Sequence, residues 1–341
     1  MKENYDEKNY DPEVERLADL LARVTKRVLL PVAIVIALVV VVLLVGCHKE
    51  NTSEATLSAK VTVTVNDFTI SQEDFPTKGD GSKGDGSKDD GRRGRLRTQQ
   101  TKDAPASYSG VKAMTLAFFD ANGDQAYCTT QLRADNTTYT TFGQFELSLN
   151  LGSYTMIVLG YGSEVPMTVG SATEASYTAD RCRETFVAAQ TVNVTSTNPL
   201  SLSAELSRVV SKLIVNSTDP RISGVDSVRM TFSAGAKGVN PQTGLASSSN
   251  GLSNTVAIST NVGATSSSAS YLFLNADQQS MTVTVETLRT NGTVYSTRTV
   301  ENVPLQRNAI TLLSGPLYTN ASGASFTLST SWIGDTNRVN F

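Results

Sequence analysis

Histidine is almost missing from this chain: its 341 residues hold one, His48. A Ser-His-Asp triad or a Cys-His pair needs an imidazole beside its nucleophile. His48 stands just past the end of a long apolar run, so both arrangements are excluded. Cysteine is scarce as well, at three, and no C-x-x-C spacing occurs, so metal sites built on His or Cys fall away too. No glycine-rich phosphate loop opens a helix. Nothing singles out two carboxylates as a glycosidase pair over ordinary surface charge. Charge of one sign is lacking: the formal net charge of −3 gives no basic face for nucleic acid. Aromatics reach only 7%, with one Trp, which is thin provision for stacking on sugars. The chain therefore reads as no enzyme, with no cofactor, no metal and no nucleic-acid partner.

What is present begins with an uncharged apolar run, Val28 to Gly46, preceded by Arg23, Lys26 and Arg27 and closed by Cys47. About 18 apolar residues suffice to cross a bilayer, so a retained span is one reading. A secretory signal with a basic n-region and an apolar h-region is the other. The run ends in Leu44-Val45-Gly46-Cys47, which resembles a bacterial lipobox and favours lipidation at Cys47. Either way the positive flank keeps the N-terminus inside. Residues 1–46 read as cytoplasmic n-region and apolar lipoprotein signal, and 47–56 as a lipid-anchor tether.

After residue 100 Ser, Thr, Asn, Val and Gly dominate, and no useful helical period follows Cys47; strands are favoured. Leu57 to Val65 alternates, with Leu57, Ala59, Val61, Val63 and Val65 on one face: a half-buried strand. Residues 71–107 read as a flexible loop. They hold a Lys-Gly-Asp-Gly-Ser repeat at 78–82 and 83–87, then an arginine cluster, Arg92, Arg93, Arg95 and Arg97. Val111 to Phe119 is a dense β-pattern. The Asn122-Gly123 that follows signals a hairpin turn rather than a calcium loop. About a dozen short strands in all suggest an all-β chain of β-sandwiches. The boundary is expected near 206, giving domains 57–205 and 206–341. Residues 240–270 read as a long Ser/Gly-rich loop. Cys128 and Cys182 form either a disulfide or two separate buried thiols.

Several stretches together resemble one family. They are Val65–Thr77, Val111–Gly123, Gly152–Gly162, Glu205–Val215 and Asn302–Tyr318. They look like the fimbrillin-like fimbrial subunits of Bacteroidetes, over residues 57–333. Cys47-His48-Lys49-Glu50 also resembles the lysine–acid signal that sends lipoproteins of this phylum to the cell surface. The resemblance implies two tandem transthyretin-like β-sandwich domains in a surface-exposed outer-membrane lipoprotein that assembles into a fimbria. It implies an Arg-specific protease that removes the first strand with its lipid. The strand of another subunit, in a homo- or hetero-polymer, then fills the groove. Arg97 is the expected cut, with Arg95, Arg93 and Arg92 as alternatives. The C-terminal segment, with Phe326, Leu328, Thr330 and Trp332 on one face, is the candidate donor strand. The alternatives are a permanently lipid-anchored base subunit, or a monomeric surface lipoprotein binding a glycan, host matrix or bacterial surface ligand.

Overall fold

A computed structural model describes residues 57–72, 99–105, 107–178, 181–319 and 327–329. Contacts divide the chain into Met1–Ala55 and Thr56–Phe341, and every described residue lies in the second unit. Among the described residues the protein is all-β, without a helix.

Ten strands build the first half: β1 (Ser58–Gln72), β2 (Gln99–Asp103), β3 (Ala113–Asp120), β4 (Gln125–Leu132), β5 (Gln144–Asn150), β6 (Gly152–Tyr161), β7 (Thr168–Ser171), β8 (Glu174–Ser176), β9 (Thr185–Val194) and β10 (Leu200–Arg208). Eight of them form one sheet in the order β2-β1-β10-β9-β6-β3-β4, with β5 also on β1. β9 and β10 pair only at Val187–Ser207 and Phe186–Arg208. That short corner lets the sheet fold on itself into a sandwich. The inward residues of β1, β5 and β10 meet those of β3, β6 and β9 in one core.

The β3–β4 turn shows why Asn122-Gly123 reads as a hairpin. Gly123 takes φ +85°, which a side chain would resist. Asp120 spends one carboxylate oxygen on the backbone N–H groups of Asn122 and Asp124, at 2.9 Å each.

The second half continues with β11 (Ser211–Ser217), β12 (Val225–Phe232), β13 (Gly238–Asn240), β14 (Leu245–Ala246), β15 (Leu252–Ala257), β16 (Ser267–Leu272), β17 (Gln278–Arg289), β18 (Val294–Gln306), β19 (Ile310–Gly315) and β20 (Thr327–Ser329). The sheet β16-β11-β19-β20 packs on the sheet β15-β12-β17-β18 around a second core. A small third sheet, β14-β13-β8-β7, takes strands from both halves. Next to it a third core runs from Ala113, Ala117 and Phe119 of β3 to Val239 and Phe273. β3 is therefore buried on both faces, its even residues in the first core and its odd ones in the third. A strand buried on both faces carries an apolar run instead of an alternation.

Two expectations shift. The loop expected over 71–107 is narrower, because Ser71–Gln72 and Gln99–Asp103 belong to an antiparallel ladder between β1 and β2. The Ser/Gly-rich stretch 240–270 contains β14 and β15 and the start of β16. Its most buried amide finds a partner inside the structure: Asn254 Nδ2 donates to Ser270 Oγ at 2.6 Å.

Candidate functional site

The first strand occupies an interior place. On one side β1 runs parallel to β10, Val61–Val65 against Leu200–Ala204. On its other side Ser58–Thr64 pairs antiparallel with Asn150–Gln144 of β5. At Asn66 the ladder with β10 slips by one residue, and Phe68 then stands opposite Leu206. From Phe68 onward β2 replaces β5 as the outer neighbour. β1 thus lies in a slot walled by β10 along one side, and by β5 and then β2 along the other.

The slip at Asn66 decides which side chains enter the core. Ala59, Val61, Val63 and Val65 point inward by simple alternation, and the extra residue turns Phe68 inward as well. All five are 4% exposed or less. Leu57, expected to lie on this face, precedes the strand and is 64% exposed. The four large members contribute roughly 6–12 kcal/mol, at about 1.5–3 each. That is comparable with the whole stability of an ordinary domain, about 5–15 kcal/mol.

Phe68 occupies the most elaborate part of the slot. Its ring lies 4.9 Å from that of Phe186 and 5.8 Å from that of Tyr108. Tyr108 meets Phe186 edge-on at 5.5 Å. Gly160 forms the floor: a Cβ there would stand 3.1 Å from Phe68 Cε1 and 3.2 Å from Leu206 Cδ2. The Tyr108 hydroxyl donates to Glu184 Oε1 at 2.8 Å. Arg208 Nη2 pairs with the same carboxylate oxygen at 2.7 Å, and Arg208 Nη1 donates to Asn308 Oδ1 at 3.3 Å. Burial, and then the charge of Glu184, push the Tyr108 phenol well above its ordinary value.

Sequence reading found the inward valines but missed this aromatic cluster. A signal was nonetheless present. Each of the five stretches that carry the family resemblance sends a residue here: Phe68, Val111, Gly160, Arg208 and Asn308. Val111 joins through its Cγ1, 3.5 Å from where a Gly160 Cβ would be.

The other expected site residues are scattered or lie elsewhere. Cys47, Arg92, Arg93, Arg95, Arg97, Phe326, Thr330 and Trp332 lie outside the described residues. Leu328 is in β20, its backbone opposite Leu313 of β19. Cys128 is half-buried and Cys182 buried, both beside the third core, and no disulfide joins them. Burial pushes the Cys182 thiol well up, so it behaves as a small apolar side chain.

A sequence family described as "Family of unknown function (DUF6562)" matches residues 165–340. No curated protein matches the sequence significantly. Among solved structures the chain is similar to a protein described as a candidate adhesin from Bacteroides ovatus, at 11% identity and TM-score 0.44, over 75% of this chain and 88% of that one. It is also similar to the fimbrial anchor protein Mfa2 from Porphyromonas gingivalis, at 11% identity and TM-score 0.42, over 81% and 98%. A third is a fimbrial assembly protein from Parabacteroides distasonis, at 12% identity and TM-score 0.34, over 81% and 100%.

Proposed function

The chain belongs to the DUF6562 family, whose function is unknown, and from its own geometry and motifs we propose that it is a structural subunit of a cell-surface fimbria. It is exported as a lipoprotein through Cys47 and held at the outer membrane by its acyl chains. An Arg-specific protease cuts the arginine cluster, with Arg97 the preferred bond and Arg95, Arg93 and Arg92 the alternatives. The cut separates β1 and the lipid from everything after them. A strand from another subunit then takes the slot.

The observation that carries this reading is the seat of β1. It is a middle strand with five buried side chains, yet it joins the remaining strands only through residues 73–98, where all four arginines stand. Losing it exposes the facing edges of β10 and β5 along with an apolar trough. Such a vacancy is refilled by β-augmentation, in which ladder bonds give affinity and alternate side chains give register. The resemblance of five separate stretches to fimbrillin-like subunits supports the same conclusion.

The experiment is to purify assembled surface fibres and determine the N-terminus of this subunit. A start just after one of the arginines, Arg97 first, is expected. Acylated Cys47 as the N-terminus in the fibre would sink the cleaved-subunit version and leave a permanently anchored base in its place.

A further inference from the structure

A second concave feature lies beside the small third sheet, and none of its lining residues belongs to the β1 slot. It is a cavity of about 440 Å³ between Ser176 of β8, Lys237 just before β13, and residues 247–254 on the way into β15. Sites for small ligands run roughly 300–1,000 Å³. Three backbone anchorages hold its wall in place. Ser247 N–H donates to Gly238 O at 3.0 Å, and Gly251 N–H to Gly235 O at 3.1 Å. Between them Asn275 Nδ2 donates to Ser248 O at 2.7 Å. Glycine permits this close approach: Gly251 takes φ +73°, and a Cβ there would overlap Phe232 O. A Cβ on Gly238 would stand 2.5 Å from Ser247 Oγ. The cavity is thus formed by the fold itself.

At its base Asn254 is 2% exposed. Its Nδ2 donates to Ser270 Oγ at 2.6 Å and to Tyr271 O at 3.3 Å, while its Oδ1 accepts nothing from the described residues. A buried acceptor without a donor is costly, and this one borders space that a ligand can enter. At the rim Lys237 is exposed and makes no ion pair with a described residue. Among the described residues, no carboxylate and no aromatic ring lines the cavity. The side chains of Ser247, Ser248 and Asn250 are likewise not engaged by described residues. We propose that the cavity binds the acidic sugar of a glycan, a uronic or sialic acid unit. A ligand hydroxyl or amide N–H donates to Asn254 Oδ1, the carboxylate faces Lys237, and the remaining hydroxyls meet the serines and Asn250. The site asks for a donor at the base and an anion at the rim. Sulfate brings no donor for Asn254, and a neutral sugar leaves Lys237 unpaired. With no ring in the wall, recognition rests on hydrogen bonds and charge instead of stacking.

The test uses the purified, uncut full chain, so its outcome is independent of strand exchange. Saturation-transfer NMR titrations compare trigalacturonic acid and N-acetylneuraminic acid with neutral galactotriose, and with triglycine as a peptide carrying a free carboxylate. At least one acidic sugar is expected to bind, more tightly than galactotriose and triglycine. The better of the two acids tells a uronic from a sialic ligand. Lys237→Gln should weaken that acid about fivefold, the ammonium being exposed and partly screened, and bring it level with galactotriose. Lys237→Arg should keep the preference. Asn254→Ala should weaken the sugars roughly tenfold through loss of the buried acceptor. Ser247→Leu, on an exposed residue of the wall, should fill the cavity and abolish binding, and it carries the test if Asn254→Ala fails to fold. Binding of neither acidic sugar overturns the proposal, as does galactotriose binding equally well. An acidic sugar indifferent to both Lys237→Gln and Ser247→Leu overturns it too. Triglycine binding more tightly than either acid would make the cavity a peptide site and end the sugar assignment.

Discussion

Arg208 Nη2 lies 2.7 Å from Glu184 Oε1, and the two side chains are only 12% and 16% exposed. The pair stands where β10 ends, one residue before Val209 enters the third core. Its carboxylate holds Tyr108, and its guanidinium also lies over the Phe186 ring at 5.4 Å. The cation therefore positions both rings around Phe68, and through Asn308 it ties them to the loop between β18 and β19.

Removing one partner of a buried ion pair leaves the other charge without compensation. Arg208→Ala is expected to cost about 3–5 kcal/mol. Replacing both partners, as Arg208→Met with Glu184→Leu, should recover most of that loss. Urea unfolding of the single and double variants reads the difference directly.

Alkaline pH should loosen the same region. Burial raises the phenols of Tyr108, Tyr161, Tyr177 and Tyr318 above their ordinary range. A group whose folded pKa is raised contributes stability that is complete below the unfolded value, about 10 for tyrosine. That contribution is lost as pH climbs from there through the folded value. Thermal melts should therefore fall steadily above about pH 10. Tyr108→Phe should flatten part of the fall while lowering stability at pH 7 through its lost hydrogen bond, by about 1 kcal/mol.

In the uncut protein, Phe68→Ala should cost about 3–5 kcal/mol, since it empties an enclosed site. Leu57→Ala, on an exposed residue ahead of the strand, should stay within about 0.5 kcal/mol of the parent. Equal effects in chemical denaturation would rule out a buried seat for Phe68.

The contrast between these two residues shows what sequence could and could not reveal. Period-two alternation exposes a strand with one buried face, so Val61 to Val65 were legible. A one-residue slip at Asn66 breaks that period, and Phe68 escaped because parity alone places it on the wrong face. β15 was hidden for another reason. Its apolar content is low because Asn254 is buried and pairs with Ser270, a polar contact that composition reads as loop. β7, β8, β13 and β14 are too short for any period to appear. The aromatic cluster joins residues from Phe68 to Asn308, and no local pattern encodes contacts of such range.

β2 has β1 as its strand neighbour at the end of the sheet. Once β1 leaves, the amides of Gln99–Asp103 lose their ladder. The chain just beyond stays fixed: Arg133 Nε donates to Val111 O, and Arg133 Nη2 to Pro105 O, each at 2.7 Å. Hydrogen exchange after cutting and strand release should therefore show rapid exchange over 99–103. Lys112 N, bonded to Tyr161 O at 2.8 Å, should stay protected. Refilling the slot should restore protection to 99–103 only if the new strand also pairs with β2.

At the other end of the chain, Asp219 gathers the exit from β19. Its Oδ1 accepts the N–H of Leu317 at 2.8 Å, and its Oδ2 accepts those of Tyr318 and Thr319 at 2.8 and 2.7 Å. The Thr319 hydroxyl adds a fourth bond at 2.9 Å. A single carboxylate thus fixes the point from which the C-terminal segment departs. Bonds to a charged acceptor are worth about 1.5–3 kcal/mol each, but the two from Thr319 are exposed and recover part of that in water. Asp219→Ala should accordingly cost about 2–3 kcal/mol, and Asp219→Asn, with one acceptor oxygen left, should cost less. If the C-terminal segment serves as the donor strand, Asp219→Ala should also slow assembly of cut subunits more than it lowers their melting temperature predicts. A loosened exit leaves more arrangements to be ordered when the strand seats. Light-scattering growth curves compared at matched stability, using Asp219→Asn and an unrelated core variant as references, would separate the two effects. Identical growth at matched stability would confine Asp219 to holding its own sandwich together.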